Sequence, residues 1–300
     1  MVIINYLHQI TRVILVAIRT QDFERLILSE NRARLFFRRT CYKKRRIFCP
    51  VCQGRTPYRL AGKRYRCKRC KYTFHDFTGR WINKLNGSFK TWLWLIKMFE
   101  LEVSALRAAV QCGVSYPTAL KAYDLLRYSI LASAPDAADL LAGEIELDES
   151  YFGGRRKGKR GRGAASKVPV FGIYERNGVV RVEVVRDVSA RSLLEQTIKI
   201  VRRGSIVYTD KFRSYDSLMF CGYRHLRIDH GKTFSSGKVY INGLEGFWSY
   251  AKQRLAHFHG VSKEKFPLYL KEMEFRYNHR KQDLFELLAQ NITKPVPNLL

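Results

Sequence analysis

Two carboxylates stand at the ends of short apolar segments in this chain of 300 residues. Asp148 ends one such segment shortly before the glycine pair Gly153–Gly154, and Asp210 ends another, Ser205–Thr209. A carboxylate at the end of a strand can project into a cleft, and glycines beside it leave room for the backbone of a substrate. The two aspartates are therefore candidates for a shared catalytic site.

A third carboxylate, Glu245, lies in a segment whose apolar residues recur at helical spacing. These apolar residues are Leu244, Phe247, Trp248 and Ala251. Glu245 and Lys252 are seven positions apart, so they share a face of the predicted helix. Asn242 leaves a second interpretation open. It lies three positions before Glu245, and this spacing also resembles a capping arrangement at a helix N-terminus. Taken alone, the segment does not decide whether Glu245 is a site residue or a capping partner.

Three carboxylates that meet in one place repel one another unless cations separate them. Oxygen ligands of this kind suit Mg²⁺ or Mn²⁺. Two such ions can stabilise the attacking and the leaving oxygen of an in-line displacement at phosphorus. The residue types therefore favour a site in which Asp148, Asp210 and Glu245 hold two divalent ions.

The charge balance limits the classes of partner. The chain has 55 Lys and Arg against 26 Asp and Glu, which is a formal net charge of +29. An enzyme of small molecules has no use for such an excess, whereas binding to a polyanion is favoured when neutralised phosphates release counterions. The composition favours a nucleic-acid partner and argues against a carboxylate-pair glycosidase. Ribosomal or membrane-surface association is the alternative.

Four of the seven cysteines form two CxxC pairs, Cys49–Cys52 and Cys67–Cys70. Each pair places two thiolates on one tight turn, and two such turns joined by a hairpin can enclose a tetrahedral Zn²⁺. Four cysteines close the site, so the ion would be structural; a redox CxxC or a chance pairing is the alternative. Basic and aromatic residues around the pairs suit phosphate contacts and stacking, unless they form a solvated basic face.

The odd number of cysteines and the absence of a secretory signal indicate a reducing, cytoplasmic compartment. The apolar stretch Val2–Ile18 is too short and too polar to span a bilayer, so we predict no membrane association and interpret it as an amphipathic helix or as codons upstream of the true start.

Residues 104–128 have the order of a helix-turn-helix. Ser104–Val110 predicts a short helix, Gly113 a turn, and Ser115 a cap for a second helix over Pro117–Tyr128. In this interpretation the second helix offers four side chains to a major groove. They are Thr118, Lys121, Tyr123 and Arg127. An ordinary helical hairpin has the same pattern.

From residue 143 onward the pattern changes to strands. Three strands are predicted, near residues 145–152, 168–174 and 179–185, and Asn177-Gly178 predicts a hairpin between the last two. A helix over 191–202, strands over 205–209 and 224–228, and helices near 243–256 and 263–278 follow. This order predicts a mixed α/β sheet of the ribonuclease H type.

Together these motifs resemble the DDE transposases of bacterial insertion sequences, in the zinc-ribbon branch known as the insertion sequence 1595-like family. The resemblance covers about residues 25–290. Its matching pieces are the four cysteines, Phe74, Thr78-Gly79, Asp148-Glu149-Ser150, Phe152-Gly153-Gly154, Thr209-Asp210, Tyr215, Asn242, Glu245-Gly246-Phe247-Trp248, Lys252 and Phe275–Arg280.

The resemblance implies a ribonuclease H-like catalytic domain, dependence on Mg²⁺ or Mn²⁺, and recognition of terminal inverted repeats and target DNA. It also implies a bacterial, nucleoid-associated protein that acts as a homodimer or higher oligomer. The third acidic position varies in this family, and some members have an Asn and a Lys in place of a Glu, whereas this chain has all three. We expect Glu245 to be the third ligand. Asn242 would orient the site or take the metal itself, and Lys252 would contact phosphate. One departure is Gln53-Gly54, where glycine usually follows the first knuckle directly.

The expected domains are a helical and basic segment (1–46), a zinc ribbon (47–79), a helix-turn-helix-like region (80–134) and the catalytic domain (143–290). Two other functions use the same features. One is a catalytically inactive DNA-binding remnant or regulator, and the other is a ribonuclease H or junction-resolving nuclease.

Overall fold

The computed structural model describes residues 18–42, 47–134, 140–153, 167–210, 213–227, 241–258 and 260–297. The basic segment 155–163 and the helix predicted before Ile18 lie outside the described residues. The chain forms two compact units: residues up to Ser133 together with His279 onward, and Ala134–Asn278. In the portions that the structure describes, none of the helices has the length and apolar character needed to cross a bilayer.

The first unit combines helices with a small antiparallel sheet. Its elements are helices α1 (Thr20–Ile27) and α2 (Glu30–Cys41), strands β1 (Pro57–Leu60), β2 (Arg64–Cys67) and β3 (Thr73–His75), a 3-10 helix (Trp81–Lys84), and helices α3 (Phe89–Glu100), α4 (Ala105–Cys112), α5 (Tyr116–Leu131) and α9 (Leu284–Ile292). The sheet order is β1-β2-β3.

The predicted helical pair of this unit is confirmed. Gly113 ends α4 with a left-handed φ of 63°, and the Ser115 hydroxyl accepts the amide of Thr118 at the start of α5. Contact of this pair with a major groove stays a prediction.

Two of the side chains expected to face a groove are buried instead, so that part of the prediction is wrong. The hydroxyl of Tyr123 donates to the carbonyl of Val103 at 2.9 Å. The guanidinium of Arg127 lies 5.4 Å from the centroid of the Phe99 ring, and its side chain is only 2% exposed. Both residues lie on the helix face that packs against α3, whereas Lys121 is exposed.

The last helix, α9, packs inside the first unit. The ring of Phe285 lies 5.6 Å from that of Phe23 and 5.9 Å from that of Phe36. Arg80 is buried and donates to the backbone carbonyls of Cys41, Asp76 and Thr293. The catalytic domain predicted from the sequence ends at residue 290, whereas these contacts place α9 with the N-terminal helices.

The second unit contains the predicted mixed sheet. Its elements are strands β4 (Glu144–Phe152), β5 (Val168–Glu175) and β6 (Val180–Val184), helix α6 (Ala190–Ile200), strand β7 (Ile206–Thr209), a 3-10 helix (Arg213–Cys221), strand β8 (Arg224–Arg227), and helices α7 (Asn242–Leu255) and α8 (Phe266–Asn278). The strand order is β6-β5-β4-β7-β8. Strands β4, β5 and β6 pair antiparallel, and β7 and β8 join in parallel. This is the order and direction of a ribonuclease H-like sheet.

Alternation along β4 sends its side chains to two different layers. Ile145 and Leu147 pack with α6 and the 3-10 helix that follows β7. Phe152 packs on the opposite face with α7 and α8. The even-numbered residues of β4, Glu146 and Asp148 among them, therefore share the face that α7 covers.

Helix α8 closes the edge of the sheet at β6. The amide of Val180 donates to Asn278 at 2.8 Å, and the amide of Val182 donates to Glu274 at 2.7 Å. These side chains satisfy backbone groups that a further strand would otherwise pair. On its other side α8 presents Tyr277 to Phe247 of α7, with ring centroids 5.2 Å apart. Helix α8 thus packs against α7 as well as against the edge of the sheet.

Replacing Phe285 by alanine tests whether α9 belongs to the first unit. Loss of this ring, which is 1% exposed, should lower the free energy of unfolding of that unit by about 3–5 kcal/mol. Tryptophan fluorescence during urea denaturation measures the unfolding of the first unit, because Trp81, Trp92 and Trp94 all lie in it. The exposed Gln290→Ala on the same helix is the control, and equal stability of both variants would show that α9 does not stabilise this unit.

Candidate functional site

The two candidate aspartates lie at the same end of two neighbouring parallel strands. The register pairs Glu146 of β4 with Tyr208 of β7, which is the last pair of this ladder. Asp148 follows two residues later within β4, and Asp210 is the first residue after β7. The charge of Asp210 contributes to the raised pKa of Asp148, as expected for close carboxylates. The structure thus brings together the first two predicted site residues.

Asp148 lies in a half-buried position and is held by α7. The indole nitrogen of Trp248 donates to its Oδ2 at 2.9 Å. Burial, together with the charges of Glu149 and Asp210, raises the pKa of Asp148 to about 7, although the indole hydrogen bond opposes the shift. A cation close to this carboxylate would favour its ionised form. The donor set therefore fits a divalent ion.

Glu149, the next residue, faces the other side of the sheet. Its Oε2 accepts the hydroxyl of Tyr215 at 2.5 Å. Burial and the neighbouring carboxylates raise the pKa of Tyr215 well above its usual value, so the phenol stays protonated and acts as a donor. Glu149 is thus engaged on the opposite layer, away from α7.

Gly172 provides the space that Trp248 occupies. It is the β5 partner of Asp148. A Cβ atom at Gly172 would lie 2.5 Å from Cζ2 of Trp248, so only glycine lets the indole lie against the strand and reach the carboxylate. The sequence indicates no role for Gly172, and for Trp248 it indicates only packing of the helix on the sheet. A glycine inside an apolar strand was the available signal.

The capping interpretation of Glu245 is not supported. The residue at the N-cap position of α7 is Ile241, and no side chain of this segment caps the helix. The first amides of α7 instead donate to a residue of β4, because Gly243 and Leu244 bond to Oε2 of Glu146 at 2.9 and 3.2 Å.

Asn242, Glu245 and Lys252 are all exposed on α7. The Nζ atom of Lys252 lies 5.9 Å from the centroid of the Phe152 ring, near the end of β4. Among the described residues, the four cysteines form the only group of three or more His, Cys, Asp or Glu whose ligand atoms all lie within 4.8 Å. The structure therefore does not bring the carboxylate of Glu245 into contact with both aspartates.

The four cysteines Cys49, Cys52, Cys67 and Cys70 converge in the first unit. The Sγ atoms of Cys49 and Cys70 are 3.5 Å apart, as are those of Cys52 and Cys67. Sulfurs around a tetrahedral zinc ion are about 3.8 Å apart. The backbone amide of Cys70 lowers the pKa of the Cys67 thiol to about 7, whereas burial and hydrogen bonds with the neighbouring thiols raise the pKa of Cys70 to about 12, so the thiolate forms first at Cys67. This cluster fits one closed tetrahedral ion.

The departure at Gln53-Gly54 has a structural explanation. Gln53 and Lys71, each directly after the second cysteine of its pair, take a positive φ of 57° and 62°. Their amides donate to the carbonyls of Cys49 and Cys67, both at 3.0 Å. A Cβ atom at Gly54 would lie 3.2 Å from the sulfur of Cys52. The turn therefore accepts glutamine at position 53, and the glycine is needed at position 54, where the backbone comes close to the sulfur of Cys52.

The outer face of the small sheet is basic. Arg64 and Arg66 of β2 are exposed, while Tyr65 and Cys67, which alternate with them, are buried. The register places the exposed Tyr58 opposite Arg66. This face, which we call the ribbon face, consists of Tyr58, Arg64, Arg66 and Thr73.

Comparison with known proteins adds family information. The model of the ISXO2-like transposase domain matches residues 140–278, and that of the transposase zinc-ribbon domain matches residues 28–73. An uncharacterized transposase-like protein of Haemophilus influenzae is 47% identical over 96 residues, which cover 32% of this chain and 78% of that protein. An uncharacterized protein in transposable element ISH50 of Halobacterium salinarum is 27% identical over 253 residues, which cover 77% of this chain and 85% of that protein.

Solved structures with a detectable likeness superpose only loosely. The pre-cleavage Mos1 transpososome is 15% identical with a TM-score of 0.28, and the match covers 68% of this chain and 79% of that one. The Mos1 strand transfer complex is 16% identical with the same TM-score and covers 68% of this chain and 78% of that one.

Metal analysis of the purified protein tests the cysteine cluster. We expect one zinc ion per chain, and we expect Cys67→Ser to lose it, because three thiolates no longer close the tetrahedron. Elemental analysis of the dialysed protein measures the ratio. Cys112→Ser, which lies outside the cluster, should keep a full complement of zinc; equal zinc contents in the two variants would exclude the cluster as the binding site.

Proposed function

The chain belongs to the ISXO2-like family of insertion-sequence transposases, and we propose that it cleaves DNA at terminal inverted repeats and joins the freed end to target DNA. The supporting observation is that Asp148 and Asp210 lie at the same end of the parallel strands β4 and β7, where Trp248 of α7 holds Asp148. Such a half-buried carboxylate pair is a suitable site for divalent ions, and the net charge of +29 suits a DNA substrate.

Glu245 is our candidate for the third carboxylate ligand, with Asn242 as a second oxygen donor in the same helical turn. Both are exposed on the first turn of α7, which is attached to β4 through Trp248 and Asp148. Glutamate has enough rotatable bonds to change its rotamer without a change in the helix. When bound, two Mg²⁺ or Mn²⁺ ions would stabilise the attacking and the leaving oxygens of the displacement.

The reaction we propose has two displacements at phosphorus in one site. In the first, a water oxygen bonds to phosphorus at the transposon end and the P–O3′ bond breaks, which leaves a free 3′-hydroxyl. In the second, that hydroxyl attacks a phosphodiester of the target, and the target's own 3′-oxygen leaves with a proton. The carboxylates orient the reacting groups, and Lys252 contacts a phosphate oxygen.

The first unit supplies surfaces for recognition of DNA. On the ribbon face, Arg64 and Arg66 alternate with buried residues, so both guanidinium groups lie on one side of the sheet. The second turn of α5 adds exposed Lys121. We propose that these surfaces contact the inverted repeat, and that at least two chains act together because two ends must be held. The Zn²⁺ bound by the cysteines would hold the ribbon face in shape.

Alanine at Asp148 should abolish cleavage but leave DNA binding within about twofold, because the residue lies in the proposed metal site and not on the DNA-reading surfaces. A labelled duplex with the flanking inverted repeat, incubated with Mg²⁺, Mn²⁺ or EDTA, measures nicking at the repeat boundary. Glu195→Gln, on the exposed face of α6, is the control and should nick normally. Residual metal-dependent nicking by Asp148→Ala would refute the assignment, and binding without nicking by the unmodified protein would indicate an inactive DNA-binding remnant.

Removing one arginine of the ribbon face should weaken binding at all sequences. For Arg66→Ala we expect the slope of log K against log salt to fall by about one, because one phosphate contact is lost. Fluorescence anisotropy at several salt concentrations measures the slope. Arg191→Ala on α6 removes the same charge from a side chain that pairs with Glu195. If both variants have the same slope, the ribbon face does not contact phosphate.

A further inference from the structure

Glu146 is a fully buried carboxylate two residues before Asp148 on β4. Its side chain is 0% exposed, and the two-residue spacing places it on the same face as Asp148. A buried carboxylate is costly unless its oxygens accept hydrogen bonds or ion pairs. The contacts of this side chain therefore indicate what it stabilises.

The two oxygens of Glu146 hold two different parts of the unit. Oε1 accepts the Nε–H of Arg176 at 3.1 Å. Oε2 accepts the amides of Gly243 and Leu244, which are the second and third residues of α7. Arg176 is itself fixed, since its guanidinium lies 3.7 Å from the centroid of the Tyr208 ring. Glu146 thus connects the sheet to the first turn of α7.

This connection replaces a cap that the helix does not provide itself. Ile241, at the N-cap position of α7, has no side chain that could accept the first amides. A carboxylate at this end also interacts favourably with the positive end of the helix dipole. The acceptor comes from a distant strand, so the same interaction that caps α7 also sets where the helix starts on the sheet.

Gly243 allows the approach that this contact requires. A Cβ atom there would lie 2.1 Å from Cε1 of Tyr174 and 2.9 Å from Oε2 of Glu146. At Gly246, one turn later, the nearest atom to an added Cβ would be the Tyr277 hydroxyl, at 3.8 Å. Of these two glycines of α7, only Gly243 lies in a close fit.

We propose that Glu146 is a positioning residue, which places Asn242 and Glu245 over the aspartate pair by fixing the first turn of α7. This proposal rests on the function proposed above. The two amides that Glu146 accepts lie between Asn242 and Glu245 in sequence, so a shift of the first turn moves both side chains. Glu146 does not act as a ligand, because its oxygens already face Arg176 and the amides.

Glutamine at position 146 keeps the size of the side chain but has one acceptor oxygen instead of two. Its NH₂ group would face either the Arg176 guanidinium or the amides of α7, which are both donors. We expect Glu146→Gln to raise the Mn²⁺ concentration for half-saturation at least tenfold, in line with the effect of other groups that orient ligands. Affinity for the inverted-repeat duplex should change less than twofold.

Glu144→Gln is the matched control. Glu144 lies on the same strand and accepts Arg176 at 2.6 Å and the Tyr208 hydroxyl at 3.0 Å, and its side chain is 41% exposed. Its half-saturating Mn²⁺ concentration should stay within twofold of that of the unmodified protein. A second matched pair, Gly243→Ala and Gly246→Ala, disturbs the same contact from the helix side, and only the first should weaken Mn²⁺ binding.

The experiment is a titration of the full chain, bound to the duplex, with Mn²⁺. Electron paramagnetic resonance measures the free Mn²⁺, and Asp148→Ala is the blank. Single-turnover nicking and melting temperature are measured on the same samples. A purely structural role would lower the melting temperature and leave the half-saturating Mn²⁺ concentration of the folded protein unchanged. If Glu146→Gln does not fold, the comparison of Gly243→Ala with Gly246→Ala tests the positioning role instead.

The outcomes separate the two proposals. Weaker Mn²⁺ binding in Glu146→Gln and Gly243→Ala, with both controls unaffected, supports the positioning role. Unchanged Mn²⁺ binding in these variants, or an equal loss in Glu144→Gln, overturns it even if the protein nicks DNA. Mn²⁺ binding without nicking by the unmodified protein refutes the proposed function and leaves the positioning role measurable. An absence of Mn²⁺ binding above the blank overturns both.

Discussion

The close packing of α7 on the central strands is the constraint on which the candidate site depends. Two contacts between β4 and α7 define it, one from Glu146 to the first amides of the helix and one from Asp148 to Trp248. Glycines make both possible, because an added Cβ at Gly172 or at Gly243 would overlap an aromatic ring. The helix that carries the candidate third ligand is thus held at two points, and both points involve the strand that carries the first.

The rest of the second unit supports this contact. Helix α8 is bonded to the edge of β6 through Asn278 and packs on Phe247, so α7 lies between a sealed sheet and a second helix. The parallel pairing of β4 with β7 then places Asp148 and Asp210 at the same end of the two strands. Burial, with smaller contributions from the charges of Glu149 and Asp210, leaves Asp148 with a raised pKa, which is an electrostatic cost that divalent cations would offset. Packing and charge therefore favour the same chemistry.

Much of this arrangement could be predicted from the sequence, because local patterns determine it. The CxxC spacing predicts the cysteine cluster, and the strand and helix patterns predict the mixed sheet with aspartates at two strand ends. Predictions that needed the phase of a helix or a distant contact were less successful. Tyr123 and Arg127 are buried because their side of α5 faces the core. The roles of Glu146 and Gly172 depend on how closely α7 approaches the sheet, which no local pattern encodes.

The most direct test of this account is to locate Mn²⁺ by anomalous diffraction in crystals of the protein bound to an inverted-repeat end. The account predicts anomalous peaks between Asp148 and Asp210, with the carboxylate of Glu245 turned toward them and Glu146 still bonded to the first turn of α7. Peaks elsewhere, or a duplex bound with no ion between the two aspartates, would contradict it.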